Sequence, residues 1–228
     1  MKKYEIFLFD ADNTLYDYDK AEEYALKNMF EYCGFAYTPS IRTTYRKFND
    51  EMWEAYEKKE ISIEDFPHIR FDYLFESIGV KYDSKDFNAK YLKELGKGSF
   101  LIDGAEELCK KIVTSKKLIY IVTNGLLATQ ESRIKYSLIK DYISGSFVSS
   151  EVGYLKPEVG FFKHVFSNIP QISKDKILII GDSLTADIAG GINAGIDTCW
   201  FNLHGIDNHT GIKPTYEVSS LSEVCKFI

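Results

Sequence analysis

The sequence predicts an α/β fold: a parallel sheet covered by helices, with an all-helical block inserted after the first strand. Three observations predict it. Short apolar runs recur at Ile6–Phe9, Leu118–Val122, Ser146–Val148, Ile177–Ile180 and Thr198–Phe201. Helical patterns separate the later runs. The stretch Tyr18–Lys97 contains no convincing strand.

Each element has its own reason. Four of the five runs are nearly all apolar rather than alternating, as strands buried on both faces should be. Ser146–Val148 is the shortest of the five. Asp19–Tyr32 reads as a helix. Pro39–Glu60 reads as another, with Ile41, Tyr45, Phe48, Met52 and Tyr56 at helical intervals. Glu64–Ile78 and Ser84–Leu95 follow, separated by Gly79 and a polar segment. Asp103 is placed to cap a helix carrying Leu108 and Ile112 and ending near Lys116. Pro157 is placed to open a helix bearing Phe162, Val165 and Phe166. Leu184–Ala194 is a small-residue helix stopped by Gly195. Gly190 and Gly191 suit close helix packing, because no phosphate-loop pattern surrounds them. A short helix is expected near Leu221–Phe227.

Strand–helix alternation implies right-handed crossovers and parallel pairing. Residues 18–97 are too many for one crossover. The chain is therefore expected to hold one discontinuous core, residues 1–17 and 98–228, interrupted by a helical subdomain over 18–97. Its aromatics, such as Tyr45, Phe48, Trp53, Phe71 and Tyr73, are expected mostly in that subdomain's core.

Composition removes several function classes. The 228 residues are 45% hydrophobic and 27% charged, which fits a folded soluble chain. A net charge of -6 disfavours a broad basic surface for a nucleic-acid polymer. No apolar run approaches the ~20 residues of a membrane span. The run before Asp10 is too short for a signal peptide. Cys33, Cys109, Cys199 and Cys225 form no CxxC and read as reduced thiols. His204 and His209 lack the spacing of a metal pair on one helix face. The expectation is a cytoplasmic protein.

The polar residues that follow the apolar runs are the informative ones. Asp10 and Asp12 follow the first, Thr123 and Asn124 the second. Ser149 and Ser150 follow the third and lead to Lys156. Asp182, Ser183 and Asp187 follow the fourth. In a parallel sheet these positions fall at one edge, where open α/β sheets bind ligands. Asp10 and Asp12 are two apart on an extended chain and leave it on the same side. Such carboxylates repel one another unless a cation sits between them. With Asp182 they form an all-oxygen site suited to Mg²⁺, which often shares a substrate phosphate oxygen. Lys156 supplies a compact positive charge for a phosphoryl group. Thr123 and Asn124 can donate to phosphate oxygens, and Gly125 lets the backbone approach. A carboxylate beside Mg²⁺ and phosphate can attack as a nucleophile, and a second carboxyl can protonate the ester oxygen.

These residues resemble the motifs of haloacid dehalogenase-superfamily phosphohydrolases. Asp10-Ala11-Asp12-Asn13-Thr14 looks like the DxDxT motif. Thr123-Asn124-Gly125 resembles the second motif, Lys156-Pro157 the third, and Gly181-Asp182-Ser183 through Asp187 the fourth. The insert resembles the helical C1 cap of that family. The resemblance implies a Rossmann-like three-layer core. It implies Asp10 as nucleophile and Mg²⁺ ligand. It implies Asp12 as general acid–base, with its backbone carbonyl on the metal. Thr123, Asn124 and Lys156 would hold phosphate. Asp182 would be the third protein ligand, and Asp187 would orient a metal-bound water or Lys156. Superfamily dehalogenases lack an acid–base Asp at the position of Asp12, so the resemblance implies phosphate-ester chemistry.

A narrower resemblance is carried by Asp10–Asp17, by Thr123–Gly125 with Gln130 following, and by Gly190–Gly195 running into Thr198–Asn202. These segments are similar to pyrimidine 5′-nucleotidases of the bacterial house-cleaning type. That implies nucleoside monophosphates such as UMP, dUMP and dTMP as substrates. The alternatives are a phosphatase for a sugar phosphate or phosphoglycolate, a phosphomutase, and a non-catalytic binding module on the same fold. The oligomeric state is not legible in the sequence.

Overall fold

Ile6–Phe9 forms the central strand β1 of a six-stranded, all-parallel sheet in a computed structural model of the chain. Residues 2–58, 60–62 and 65–228 are described. Helices α1 (Tyr18–Tyr32), α2 (Pro39–Glu57), α3 (Phe66–Ile78), α4 (Ser84–Leu95) and α5 (Ala105–Thr114) follow. Next come β2 (Leu118–Thr123), α6 (Leu127–Tyr136), β3 (Gly145–Val148), α7 (Ser149–Val152) and α8 (Val159–Ser167). The chain continues through β4 (Ile177–Gly181), α9 (Ala189–Ala194), β5 (Asp197–Phe201), β6 (Tyr216–Val218) and α10 (Leu221–Val224).

The strand order is β3-β2-β1-β4-β5-β6. β1 pairs with β2 from Ile6 opposite Leu118 to Phe9 opposite Ile121. It pairs with β4 from Ile6 opposite Ile177 to Phe9 opposite Ile180. The chain leaves β1 toward β2 and β3, then crosses back to β4. The order therefore reverses between β1 and β4, and a crevice opens beyond their carboxyl ends.

Period-two alternation makes the three layers. Phe7 and Phe9 pack with Leu108 and Ile112 of α5 and with Leu221 and Val224 of α10. Ile6 and Leu8 point the other way, to Phe161, Phe162 and Val165 of α8. Burial on both faces explains why the strands read as unbroken apolar runs.

The third strand begins at Gly145, one residue before its expected start. β6 has no counterpart among the expected strands. It is three residues long, with Tyr216 half-buried and Glu217 exposed, and such a short edge carries no periodic signal. The cap of α5 is Gly104, at φ 82, rather than Asp103. α8 starts at Val159 rather than Pro157. The expected helix from Leu184 opens as a π-helical turn, Leu184–Ile188, before α9. Gly195 ends α9 in the left-handed region at φ 74, as expected. A Cβ on Gly191 would lie 2.5 Å from Ile179 and Thr198, so this glycine lets α9 sit close on β4 and β5.

The chain divides into two compact units, Met1–Tyr18 with Ser99–Ile228, and Asp19–Gly98. The second unit is all helical. α2 ends at Glu57, short of the expected Glu60. The expected start of the next helix, Glu64, lies outside the described residues. Tyr45 and Phe71 are fully buried there and stack 5.3 Å apart, whereas Tyr73 is exposed. The buried guanidinium of Arg70 lies 5.2–5.6 Å from the rings of Tyr45, Phe66, Phe71 and Tyr91. No described helix is long and apolar enough to cross a membrane. All four cysteines are free thiols, two of them buried.

Candidate active site

The polar residues gather at the carboxyl edge of the sheet. Asp10 directly follows β1, and its N–H extends the ladder to Ile180 at 2.9 Å. The chain then turns tightly, with the N–H groups of Leu15 and Tyr16 on the carbonyl of Ala11 and Asn13 in the left-handed region at φ 56. This turn presents Asp10 and Asp12 in different surroundings.

Asp10 faces a buried ammonium. Lys156 Nζ donates to Asp10 Oδ1 at 2.5 Å, to Asp187 Oδ1 at 2.6 Å and to the Val122 carbonyl at 2.7 Å. Carboxylate oxygens of Asp10, Asp182 and Asp187 all lie within 4.8 Å of one another. Burial pushes the Asp10 carboxyl well above the ordinary carboxylate range. Lys156 pulls it down, and Asp187, Asp182 and Asp12 push it up further. Burial, then Asp187, pushes Asp182 up to about 7. Burial lowers the Lys156 pKa, but Asp10 and Asp187 outweigh it and the net shift is upward.

The π-helical turn explains how Asp187 reaches this cluster. Ser183 Oγ caps it by accepting from Ala186 N–H at 3.1 Å, and Ser183 N–H donates back to Asp187 Oδ2 at 3.2 Å. Single π turns of this kind often occur where a side chain has been re-aimed at a functional site. The Trp200 indole fixes the preceding segment by donating to the Asp182 carbonyl at 2.8 Å.

The Asp12 carboxylate has hydrogen-bond partners of its own. Its Oδ2 accepts from Gln130 Nε2 at 2.7 Å and its Oδ1 from Arg133 Nη1. Thr123 is buried at the end of β2, and its hydroxyl accepts weakly from Gln130 at 3.4 Å. The Asn124 side chain is committed to the loop before α8. It donates to the Lys156 carbonyl at 2.9 Å and accepts from the Lys156 N–H at 2.8 Å. The sequence-predicted residues thus fall into two hydrogen-bonded groups. One is Asp10, Asn124, Lys156 and Asp187, with Asp182 alongside; the other is Asp12 with Thr123.

Two residues that bind Asp12 are not among the predicted site residues. Gln130 enters the sequence reading only through the narrower resemblance, and Arg133 does not enter it. Both lie on α6, whose face pattern is weak because Thr129, Gln130 and Arg133 are its buried residues. The available signal is the i, i+3 spacing of two polar residues just after Thr123–Gly125.

Residues 4–195 match the haloacid dehalogenase-like hydrolase family. YfnB of Bacillus subtilis, named as a HAD-hydrolase, is 39% identical over 98% of this chain and 95% of its own. A crystal structure of YfnB bound to magnesium superposes with a TM-score of 0.91, covering 98% of this chain and 97% of the other. PynA of Streptococcus pneumoniae, named as a pyrimidine 5′-nucleotidase, is 37% identical over 97% of this chain and 93% of its own. YjjG of Escherichia coli, which carries the same activity in its name, is 32% identical over 97% and 96%. Near-complete coverage by relatives above 30% identity, on the same fold and with the aspartates and lysine gathered at one sheet edge, establishes that this chain belongs to the haloacid dehalogenase-like hydrolase family.

Proposed function

We propose that the chain is a Mg²⁺-dependent phosphomonoesterase that hydrolyses pyrimidine nucleoside 5′-monophosphates through an aspartyl-phosphate on Asp10. The observation that carries the reading is the buried cluster of Asp10, Asp182 and Asp187 around one ammonium, that of Lys156. Three carboxylates against one cation leave negative charge that a divalent ion would neutralise. Burial, and then the neighbouring carboxylates, push Asp10 and Asp182 upward, and a bound cation would oppose that shift. The donor set is all oxygen and fits Mg²⁺. The carboxylates of Asp10 and Asp182 and the Asp12 carbonyl would hold it. When bound, the ion would offset the charge of the phosphoryl oxygens.

The chain's own residues would then divide the chemistry. An Asp10 oxygen attacks phosphorus as the ester oxygen leaves. Asp12 donates a proton to that oxygen, then takes one from the water that attacks the aspartyl-phosphate. This releases inorganic phosphate, frees the Asp10 carboxylate and returns the proton to Asp12. Lys156 and the Thr123 hydroxyl would bind phosphate oxygens. Asn124 would do so through its backbone N–H, because its side chain is already engaged with Lys156. Asp187 would hold Lys156 in place. The helical unit Asp19–Gly98 would serve as the cap that selects the substrate.

The substrate class rests on the relatives named as pyrimidine 5′-nucleotidases. A panel of phosphate esters assayed with Mg²⁺ and with chelator tests both halves. The expected result is preference for UMP, dUMP and dTMP, and no turnover in chelator. Preference for a sugar phosphate or phosphoglycolate would refute the substrate class. Undiminished turnover in chelator would refute the metal.

A further inference from the structure

We propose that Arg133 and Gln130 are positioning residues for Asp12, holding its carboxyl group in the one orientation from which it gives a proton to the leaving group and takes one back from water. This rests on the reading of Asp12 as the acid–base.

Each oxygen of Asp12 has its own donor. Gln130 Nε2 holds Oδ2 at 2.7 Å and Arg133 Nη1 holds Oδ1. A carboxylate gripped at both oxygens from separate side chains cannot rotate about its Cβ–Cγ bond. Both donors come from α6, three residues apart, so one rigid element sets both contacts. The start of α6 is itself anchored, because Leu127 N–H donates to Ser150 Oγ at 3.0 Å.

The surroundings fit this use. Arg133 and Gln130 are buried, whereas the Asp12 side chain keeps 29% of its surface open. Two fixed donors thus support a carboxylate that still faces solvent. A Cβ on Gly125 would lie 2.8 Å from Gln130 Nε2 and 3.0 Å from its Cγ. The glycine after Asn124 therefore makes room for Gln130. The rings of Tyr16 and Tyr18 lie 5.8 and 5.9 Å from the Arg133 guanidinium and confine it.

Stability alone does not account for this arginine. Its Nε and Nη2, and Oε1 of Gln130, have no hydrogen-bond partner among the described residues. Burying a guanidinium with unpaired donors is costly, and a well-packed apolar residue is often as stable at such a site. Fixing a reactive group in a productive geometry is a recognised source of rate.

The test compares two esters. An alkoxide leaving group needs a proton, whereas nitrophenolate leaves without one. The ratio of kcat/KM for a pyrimidine nucleoside monophosphate to that for p-nitrophenyl phosphate therefore reports proton donation. It cancels any loss of folded protein, because both esters are read on one preparation. Asp12→Asn sets the reference and should lower the ratio steeply. Arg133→Met and Gln130→Met should each lower it by about tenfold or more, a part of the roughly 10²–10⁴ typical of acid–base catalysis. If Asp12→Asn lowers the ratio and neither α6 variant does, the proposal is overturned and the role of Asp12 stands. If Asp12→Asn leaves the ratio unchanged, the role of Asp12 falls, and the proposal with it. Should Arg133→Met yield no soluble protein, Gln130→Met decides alone.

Discussion

Lys156 and Asp187 form a buried ion pair at 2.6 Å, and the same ammonium reaches Asp10 at 2.5 Å and the Val122 carbonyl at 2.7 Å. A lysine ammonium has three N–H donors, and all three are used here, so a phosphate oxygen would have to share or replace one of these contacts. One side chain thereby joins the end of β1, the end of β2 and the turn after β4. Asp187 is in turn held by the Ser183 N–H. The position of Lys156 is set from several elements before any substrate arrives.

Lys156→Met should therefore cost both stability and activity. Removing one partner of a buried ion pair typically costs about 3–5 kcal/mol, because the remaining charges are stranded. In a chain of this size each kcal/mol is worth roughly 2–4 °C in melting temperature. A fall of about 10 °C is expected, with turnover reduced by about 10²-fold or more. A melting curve that matches the parent protein would contradict the pairing.

The parts of this site that are legible in the sequence share one property. Asp10, Thr123, Asn124 and Asp182 each lie within two residues of the end of an apolar run, so locating the strands locates the residues. Asp187 and Lys156 are legible through motif spacing, but their pairing depends on a π-helical turn that no periodicity encodes. Arg133 is hidden for a different reason. A buried arginine on a helix with polar buried residues looks like a surface arginine until its partner, Asp12, is known. β6 and the left-handed cap at Gly104 escape because three-residue edges and single-residue backbone states leave no pattern.

Asp10→Asn should abolish turnover while preserving the fold. The amide keeps the shape but is no nucleophile of comparable strength. Burial and neighbouring carboxylates disfavour the charged form of Asp10, so a neutral isostere relieves part of that strain. Circular dichroism should be unchanged, and the melting temperature at pH 8 in chelator should not fall. Retention of more than about one hundredth of the parent turnover would exclude a nucleophilic Asp10, given the size of covalent and acid–base contributions.

Asp182 makes the metal-free protein sensitive to pH. Its carboxyl is raised to about 7 by burial and by Asp187. A carboxyl raised in the folded state contributes stability that is complete below its unfolded value, about 3.9. That contribution is lost as pH rises through the folded value. In chelator, any advantage of Asp182→Asn over the parent should be smaller near pH 5 and larger at pH 8. Added Mg²⁺ should raise the parent at pH 8 and the variant much less. A difference between the two proteins that stays constant across this range would overturn the assignment.

Gly181→Ala should damage the site by steric displacement alone. Gly181 ends β4, and a Cβ there would lie 2.2 Å from Cγ and Oδ2 of Asp187 and 2.6 Å from its Cβ. Its φ is outside the left-handed region, so alanine meets no backbone strain. Asp187 cannot withdraw, because Lys156 holds one oxygen and the Ser183 N–H the other. Overpacking of this kind typically costs about 1–3 kcal/mol. Here the displaced group also positions Lys156, so activity should fall further than the loss of folded protein explains. The prediction is separable from general destabilisation by a double-mutant cycle. In the Asp187→Gly background all three of those atoms are gone, and the added methyl group should cost clearly less than in the parent. Equal costs in both backgrounds would show that the glycine is needed for some reason other than its contact with Asp187.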